Sequence, residues 1–208
     1  MKILVLASAS VLALATPAFA QDDRAGYNDV SYIEQIGSNN KAVAYQNGGT
    51  QGSTIEQLGS NDEALNEMNG SNNTSVVLQQ ASAFVGGRNL SENRMVGSND
   101  QNGVVQSGAR NTAYTTFDQA SSGTSSLITQ DGADNAVDYT SIGTNNLSLI
   151  SQTFDKNGAT VVQKGADNVS YLAQDGLANN ASVFQNGMSA FSYVGQTGNG
   201  NVATVTQN

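Results

Sequence analysis

The sequence predicts an all-β fold, a β-solenoid of about eight stacked strand-turn-strand rungs with a 22-residue repeat. Three observations predict it. Glutamine returns in steps of eleven residues, an apolar residue and a small residue precede it at fixed offsets, and glycine follows it two positions on. A polar residue recurring at a fixed step marks a repeat architecture, in which one short unit is stacked many times.

The glutamines of this series are Gln35, Gln46, Gln57, Gln79, Gln106, Gln119, Gln130, Gln152, Gln163, Gln174, Gln185, Gln196 and Gln207, with Met68, Met95 and Ser141 standing in for glutamine. Two residues earlier the side chain is aliphatic, as in Ile33, Ile55, Val77, Ile128, Ile150, Val161, Leu172, Val183, Val194 and Val205. Four residues earlier it is small and alternates, Ser31, Ala42, Ser53, Ala64 and later Ser148, Ala159, Ser170, Ala181, Ser192, Ala203. Positions two apart on a strand point to one face, so small, aliphatic and glutamine form one inward stripe. The intervening positions, such as Tyr32, Glu34, Thr160 and Phe184, are mixed, as befits a face that meets solvent or a neighbour. The serine/alanine alternation doubles the true period to 22, so two strands and two turns make one rung. In such a stack the glutamine amides are expected to form ladders, each satisfying the next, because buried polar groups are costly unless paired.

Between the strands, Gly37, Gly59, Gly143, Gly165, Gly176 and Gly198 stand two residues after the glutamine series. Asn40, Asn111, Asn135, Asn146, Asn157, Asn168, Asn179 and Asn201 stand five after it. Glycine and asparagine both tolerate positive φ, so Gly-x-x-Asn predicts a tight turn in which both residue types serve the backbone.

Residues 1–20 read as a secretory signal peptide: Lys2, an apolar stretch from Ile3 to Leu14, then Ala18-Phe19-Ala20 as a small-x-small cleavage site. The apolar run falls short of the ~20 residues a span needs. No later segment is apolar enough either, so no membrane span is expected. Residues 21–29 form a short N-terminal segment, and 30–208 carry the repeat. Its spacing breaks in the middle: from Gln79 the steps are 16 to Met95, 11 to Gln106, 13 to Gln119 and 11 to Gln130. The extra five residues fall near Ala81–Gly87, where a bulging loop is expected. Asn66, Asn93 and Asn102 also intrude into the inward stripe, so the irregular centre, around 81–123, is expected to be the least stable part.

Composition narrows the chemistry. The formal net charge is −9, which lacks the basic footprint that nucleic acid requires. An exported chain could use disulfides, but there is no cysteine. The absence of both His and Cys excludes imidazole- and thiol-based nucleophilic catalysis. The carboxylates Asp22, Asp23, Glu63 and Glu67 fall in a tail and on an outward face, so the chain reads as no enzyme and implies no cofactor. Gly132-Ala133-Asp134-Asn135 and Gly165-Ala166-Asp167-Asn168 bring oxygen ligands to turns, but the glycine-rich nonapeptide of calcium-binding β-rolls is missing. An ice-binding face would need threonine at one outward offset, where this chain varies.

At this point the residues meet a known family. Ser31-x-Ile33-x-Gln35-x-Gly37-x-x-Asn40-x-Ala42-x-x-x-Gln46 resembles the curlin repeat of bacterial curli fibres, and Ser170 to Gln185 repeats the arrangement. The resemblance covers nearly all of the chain after residue 29. It implies an extracellular functional amyloid, secreted unfolded through an outer-membrane pore, nucleated at the cell surface and polymerised into adhesive biofilm fibres. Its partners would be itself, a second curlin-type subunit, the secretion pore and nucleation factors. This chain departs from familiar members in having more repeats and a short segment before the first. The alternative is a soluble monomeric β-solenoid adhesin or surface-binding module with capped ends. No polar cap is expected past Gln207, and the clean last repeat, Val202 to Gln207, reads as an open stacking end.

Overall fold

The computed structural model describes residues 20–21, 29–81 and 87–208. After β1 (Ala20–Gln21) the strands run in pairs, one pair to a rung. The first four pairs are β2 (Val30–Ser38) with β3 (Lys41–Gly49), β4 (Gly52–Ser60) with β5 (Glu63–Ser71), β6 (Thr74–Gln80) with β7 (Leu90–Met95), and β8 (Gln101–Ala109) with β9 (Thr112–Phe117). The next four are β10 (Ser125–Ala133) with β11 (Ala136–Thr144), β12 (Leu147–Thr153) with β13 (Gly158–Ala166), β14 (Val169–Asp175) with β15 (Asn180–Met188), and β16 (Phe191–Thr197) with β17 (Val202–Gln207). The protein is an all-β solenoid of eight rungs.

The first strand of each rung joins one sheet, ordered β1-β2-β4-β6-β8-β10-β12-β14-β16, and the second joins the other, β3-β5-β7-β9-β11-β13-β15-β17. Neighbours are parallel and in register, so that Gln130 faces Gln152 and Val183 faces Val205. Only β1 is antiparallel, setting Ala20 against Ser31 and Gln21 against Val30. The serine/alanine alternation now has a cause. Serines such as Ser53 and Ser148 belong to the first sheet, and alanines such as Ala64 and Ala159 to the second.

The core is a thin apolar layer between the sheets. Ile55, Val77, Val104, Ile128, Ile150 and Leu172 enter from the first sheet, and Met68, Met95, Phe117, Tyr139, Val161 and Val183 from the second; all are buried. Phe117 and Tyr139 meet edge to face, their ring centroids 5.7 Å apart, a geometry that aromatic quadrupoles favour.

The irregular centre joins the stack. Strands β7, β8 and β9 are paired on both sides without loss of register. The extra five residues lie between β6 and β7, and residues 82–86 of the expected loop lie outside the described residues. So do residues 1–19 and 22–28, which carry nearly all of the expected signal peptide and N-terminal segment. The second irregularity sits elsewhere than its sequence spacing indicates. Phe117, not Gln119, takes the glutamine position of β9, facing Met95 on one side and Ser141 on the other. The two surplus residues fall after β9, where Gln119 is exposed in the following turn. The cause is packing: the inward slot beside Met95 and Tyr139 is apolar and takes an aromatic ring in place of an amide.

Candidate functional site: axial ladders and open edges

The glutamines of the first sheet form one continuous ladder. Each Nε2 donates to the Oε1 of the next rung: Gln35 to Gln57 at 2.6 Å, Gln57 to Gln79 at 2.8 Å, Gln79 to Gln106 at 2.8 Å and Gln106 to Gln130 at 2.9 Å. It continues from Gln130 to Gln152 at 3.0 Å, Gln152 to Gln174 at 2.8 Å and Gln174 to Gln196 at 2.8 Å. The second amide hydrogen crosses the core, as from Gln57 to the Lys41 carbonyl at 3.0 Å, beside Ala42. A small residue near the start of most second-sheet strands, with Val137 of β11 the exception, leaves room for that crossing. From Gln57 to Gln174 the ladder is at most 1% exposed, so every amide group must be satisfied internally, and its neighbours do so.

The second sheet carries a broken ladder. Its column reads Gln46, Met68, Met95, Phe117, Ser141, Gln163, Gln185, Gln207. Gln163 donates to Gln185 and Gln185 to Gln207, both at 2.9 Å. Gln46 turns instead to the Val30 carbonyl at 3.0 Å. Where the ladder resumes, Tyr139 supplies the missing donor, its hydroxyl donating to Gln163 Oε1 at 2.8 Å. Burial pushes the Tyr139 hydroxyl far above its ordinary value, so it stays a neutral donor. Polar residues at aliphatic positions form a second small network: Asn66 donates to Ser53, accepts from Ser75 at 3.1 Å, and accepts from Asn93 at 2.8 Å. Asn93 Oδ1 in the third rung and Asn102 Nδ2, Asn102 Oδ1 and Thr115 Oγ1 in the fourth are buried without a partner, against a single serine hydroxyl on the first-sheet strand of each later rung, Ser126, Ser148, Ser170 and Ser192. Each such group costs ~1–3 kcal/mol, which concentrates weakness in the third and fourth rungs.

The turns differ from the sequence reading in one respect. The glycines do take positive φ, such as +104° at Gly165. The asparagines do not. The left-handed residue is the one before each of these asparagines, whatever its type: Asn39, Arg110, Asp134, Asn145, Asp167 and Ala178 all have φ between 52° and 60°. Asn39, Asn61, Asn72, Asn99, Asn145, Asp134 and Asp167 hold this position, types that tolerate it, but Thr50, Arg110, Lys156 and Ala178 hold it too, so residue type alone did not mark it. The asparagine is instead a third kind of ladder. Its Oδ1 accepts the backbone N–H of its counterpart one rung on, as in Asn135 to Asn157 at 2.9 Å and Asn157 to Asn179 at 3.1 Å. Its Nδ2 donates to the glycine carbonyl of that next rung, as from Asn157 to Gly176 at 2.9 Å. Asn40, Asn111, Asn146, Asn168, Asn179 and Asn201 also bridge rungs. The same columns include Asp62, Asn73, Asn89 and Asp100; Asp62 keeps the five-residue offset from Gln57 but is a carboxylate, and before the other three the glutamine is absent or displaced.

Compared with known proteins, the chain matches no family model and no curated sequence. Among the described residues, β16 and β17 pair on one face only, and so does β3. Among the same residues β2 meets, on its outer edge, only β1, which lies against Val30 and Ser31. The ladder ends have opposite characters. Among the described residues no donor reaches Gln35 Oε1, whereas Gln196 Nε2 spends one hydrogen on the Asn180 carbonyl at 3.0 Å and keeps one directed outward. No helix among the described residues is long and apolar enough to cross a membrane.

Three ladder positions carry a carboxylate where an amide belongs: Asp29 at the first rung, which accepts the Gln51 N–H at 2.8 Å, and Asp62 and Asp100 within the stack. Asp62 and Asp100 are fully buried. Each accepts one backbone N–H from the next rung, from Asn89 and from Thr124, both at 2.9 Å. A carboxylate cannot supply the second, donating arm. Asp62 Oδ2 has no partner, and Asp100 Oδ2 is restricted to accepting from Ser121 at 2.8 Å. Burial pushes both groups above the ordinary value of 3.8, with the backbone N–H bonds opposing. The native state then binds these protons more tightly than the unfolded chain. The stabilisation is fully present below the ordinary value and is lost as pH rises through the raised native one. Hydrogen exchange at pH 7 is accordingly expected to find residues 87–117 less protected than 126–207. Protection around Asp62 and Asp100 should increase as pH falls towards the ordinary carboxylate range. Asp134, lowered chiefly by its hydrogen bond from Arg110, gives up its contribution only below that range. Asp62→Asn with Asp100→Asn should raise protection at pH 7 and abolish the acid gain. An acid gain surviving in that double variant assigns the effect to other carboxylates.

Proposed function

We propose that this chain is a secreted structural subunit that stacks head to tail into extracellular, curli-like amyloid fibres serving surface adhesion and biofilm matrix. The observation that carries the reading is the match between the two ends of the first-sheet ladder, an acceptor at Gln35 and a donor at Gln196. A second copy seated on either end continues the ladder in the same sense and extends both sheets by parallel pairing. Open strand edges are an aggregation liability in a monomer. Here the same edges serve directed growth, with every backbone group paired ~4.8 Å above and below. Such an interface is heterologous and does not close, so it produces a filament.

One observation favours the alternative of a capped, soluble solenoid adhesin. The antiparallel pairing of Ala20–Gln21, of which Gln21 against Val30 remains after the expected cleavage, covers part of the β2 edge. Thioflavin T fluorescence over time on purified 21–208, with and without preformed seeds, separates the two. The expected result is a lag removed by seeds, followed by fibres with a reflection near 4.8 Å. A flat trace from a folded, soluble β-rich monomer would instead establish the capped adhesin.

A further inference from the structure

We propose that stacks of this chain pair laterally through the outward face of the first sheet, against the same face of a second stack. The inference rests on the polymerisation reading above and adds a second, side-to-side interface.

The two outward faces differ in charge. From β6 to β16, the outward positions of the first sheet before each glutamine, Thr74 to Gly195, carry no charged residue. At the same positions the second sheet carries Lys41, Glu63, Glu67, Glu92, Arg94 and Asp138; one past the glutamine the first sheet's rim carries Asp131 and Asp175 and the second's carries Lys164. In a chain of net charge −9, copies approaching each other are repelled except where charge is absent. The uncharged face is also apolar. Leu127, Leu149, Tyr171 and Tyr193 lie one above another in register, with Tyr193 67% and Leu127 45% exposed. Exposed apolar patches of this kind mark interaction surfaces.

Shape selects a second copy as the occupant. Beside that tall column runs a short one that shrinks from Thr129 to Gly195, and between them lies a groove of about 360 Å³. The groove ends at Tyr193, whose ring leans over Gly195, where a Cβ would stand 3.2 Å from it. A two-fold axis along the solenoid, between the columns, sets the tall column of each copy into the groove over the short column of the other. The contact is isologous, and because both stacks rise by the same ~4.8 Å the match recurs at every rung.

The area explains when pairing occurs. Six rungs at ~4.8 Å and a width of about five residues at ~3.3 Å give on the order of 400–500 Å² per chain. A stable interface needs about 800 Å² per partner. Single chains therefore stay apart, while stacks pair because every added copy contributes another such patch.

Mass per unit length of fibres grown from the secreted protein, measured by scanning transmission electron microscopy, tests the pairing. The wild type is expected to give twice the value of a single file of rungs. Tyr171→Glu with Tyr193→Glu should halve it, while Thr160→Glu with Ser182→Glu on the other sheet should leave it doubled. If the glutamate pair blocks fibre growth, Leu127→Ser with Tyr193→Ser should give the same halving. Wild-type fibres of single mass, or doubled fibres from the first-sheet variants, overturn lateral pairing and leave head-to-tail stacking standing. A chain that forms no fibres at all overturns both.

Discussion

Gln130→Ala should lower the stability of the solenoid by on the order of 4 kcal/mol, while Gln119→Ala should change it by less than about 0.5 kcal/mol. Both glutamines belong to one eleven-residue series, and only their surroundings separate them. Gln130 is fully buried and makes three bonds: it donates to Thr112 O at 2.9 Å and Gln152 Oε1 at 3.0 Å, and accepts from Gln106 Nε2 at 2.9 Å. Removing it strands an amide hydrogen on Gln106 and an acceptor on Gln152 in a dry interior, and opens a cavity between two rungs. Unpartnered buried groups cost ~1–3 kcal/mol each, and the cavity adds to that. Gln119 is exposed in a turn, where its backbone N–H bonds Asp118 at 2.7 Å, a contact alanine retains. The urea midpoint of the β-sheet circular dichroism signal reads the difference. A loss of this size corresponds to about 2 M for an m-value of ~2 kcal/mol/M. Equal midpoints for the two variants would mean that the first-sheet ladder contributes little.

Gly165→Ala should be at least as damaging, by a different route. Its φ of +104° lies where an L side chain is strained, and an added Cβ would stand 1.9 Å from the Gly187 carbonyl oxygen of the next rung. The rungs would have to separate, and the β13–β15 hydrogen bonds with them. Strain of this kind costs ~1–3 kcal/mol before any steric term, so a total above about 3 kcal/mol is expected. Gly200→Ala is the control. Its φ of +69° is also left-handed, but a Cβ there meets nothing within 4 Å, so only the ~1–2 kcal/mol backbone term remains. Similar midpoints for these two variants would show that conformation, and not rung-to-rung contact, sets the glycine requirement.

The irregular centre shows where pattern reading loses its grip. A glutamine step of 13 placed Gln119 in the ladder, because a period can be followed only through the residue that marks it. The solenoid keeps its eleven-residue step through Phe117 and puts the surplus in the turn, where extra chain disturbs no ladder. The turn asparagines teach a related point. Their offset was visible, but asparagine is common both at positive φ and as a bridging amide, and composition does not separate the two roles. Neighbouring rungs do separate them, since only in the stack does Asn157 find Asn135 behind it and Gly176 ahead.

Repeats along the chain specified the rung, its two strands, the inward stripe and the period, because these follow from side-chain alternation and local turn chemistry. Contacts between rungs set the rest: which glutamine enters the ladder, which turn residue turns left-handed, and which carboxylates are starved of partners. The physical reason is that each of these depends on the group standing one rung away, 22 or more residues along the chain, and no window of sequence contains that neighbour.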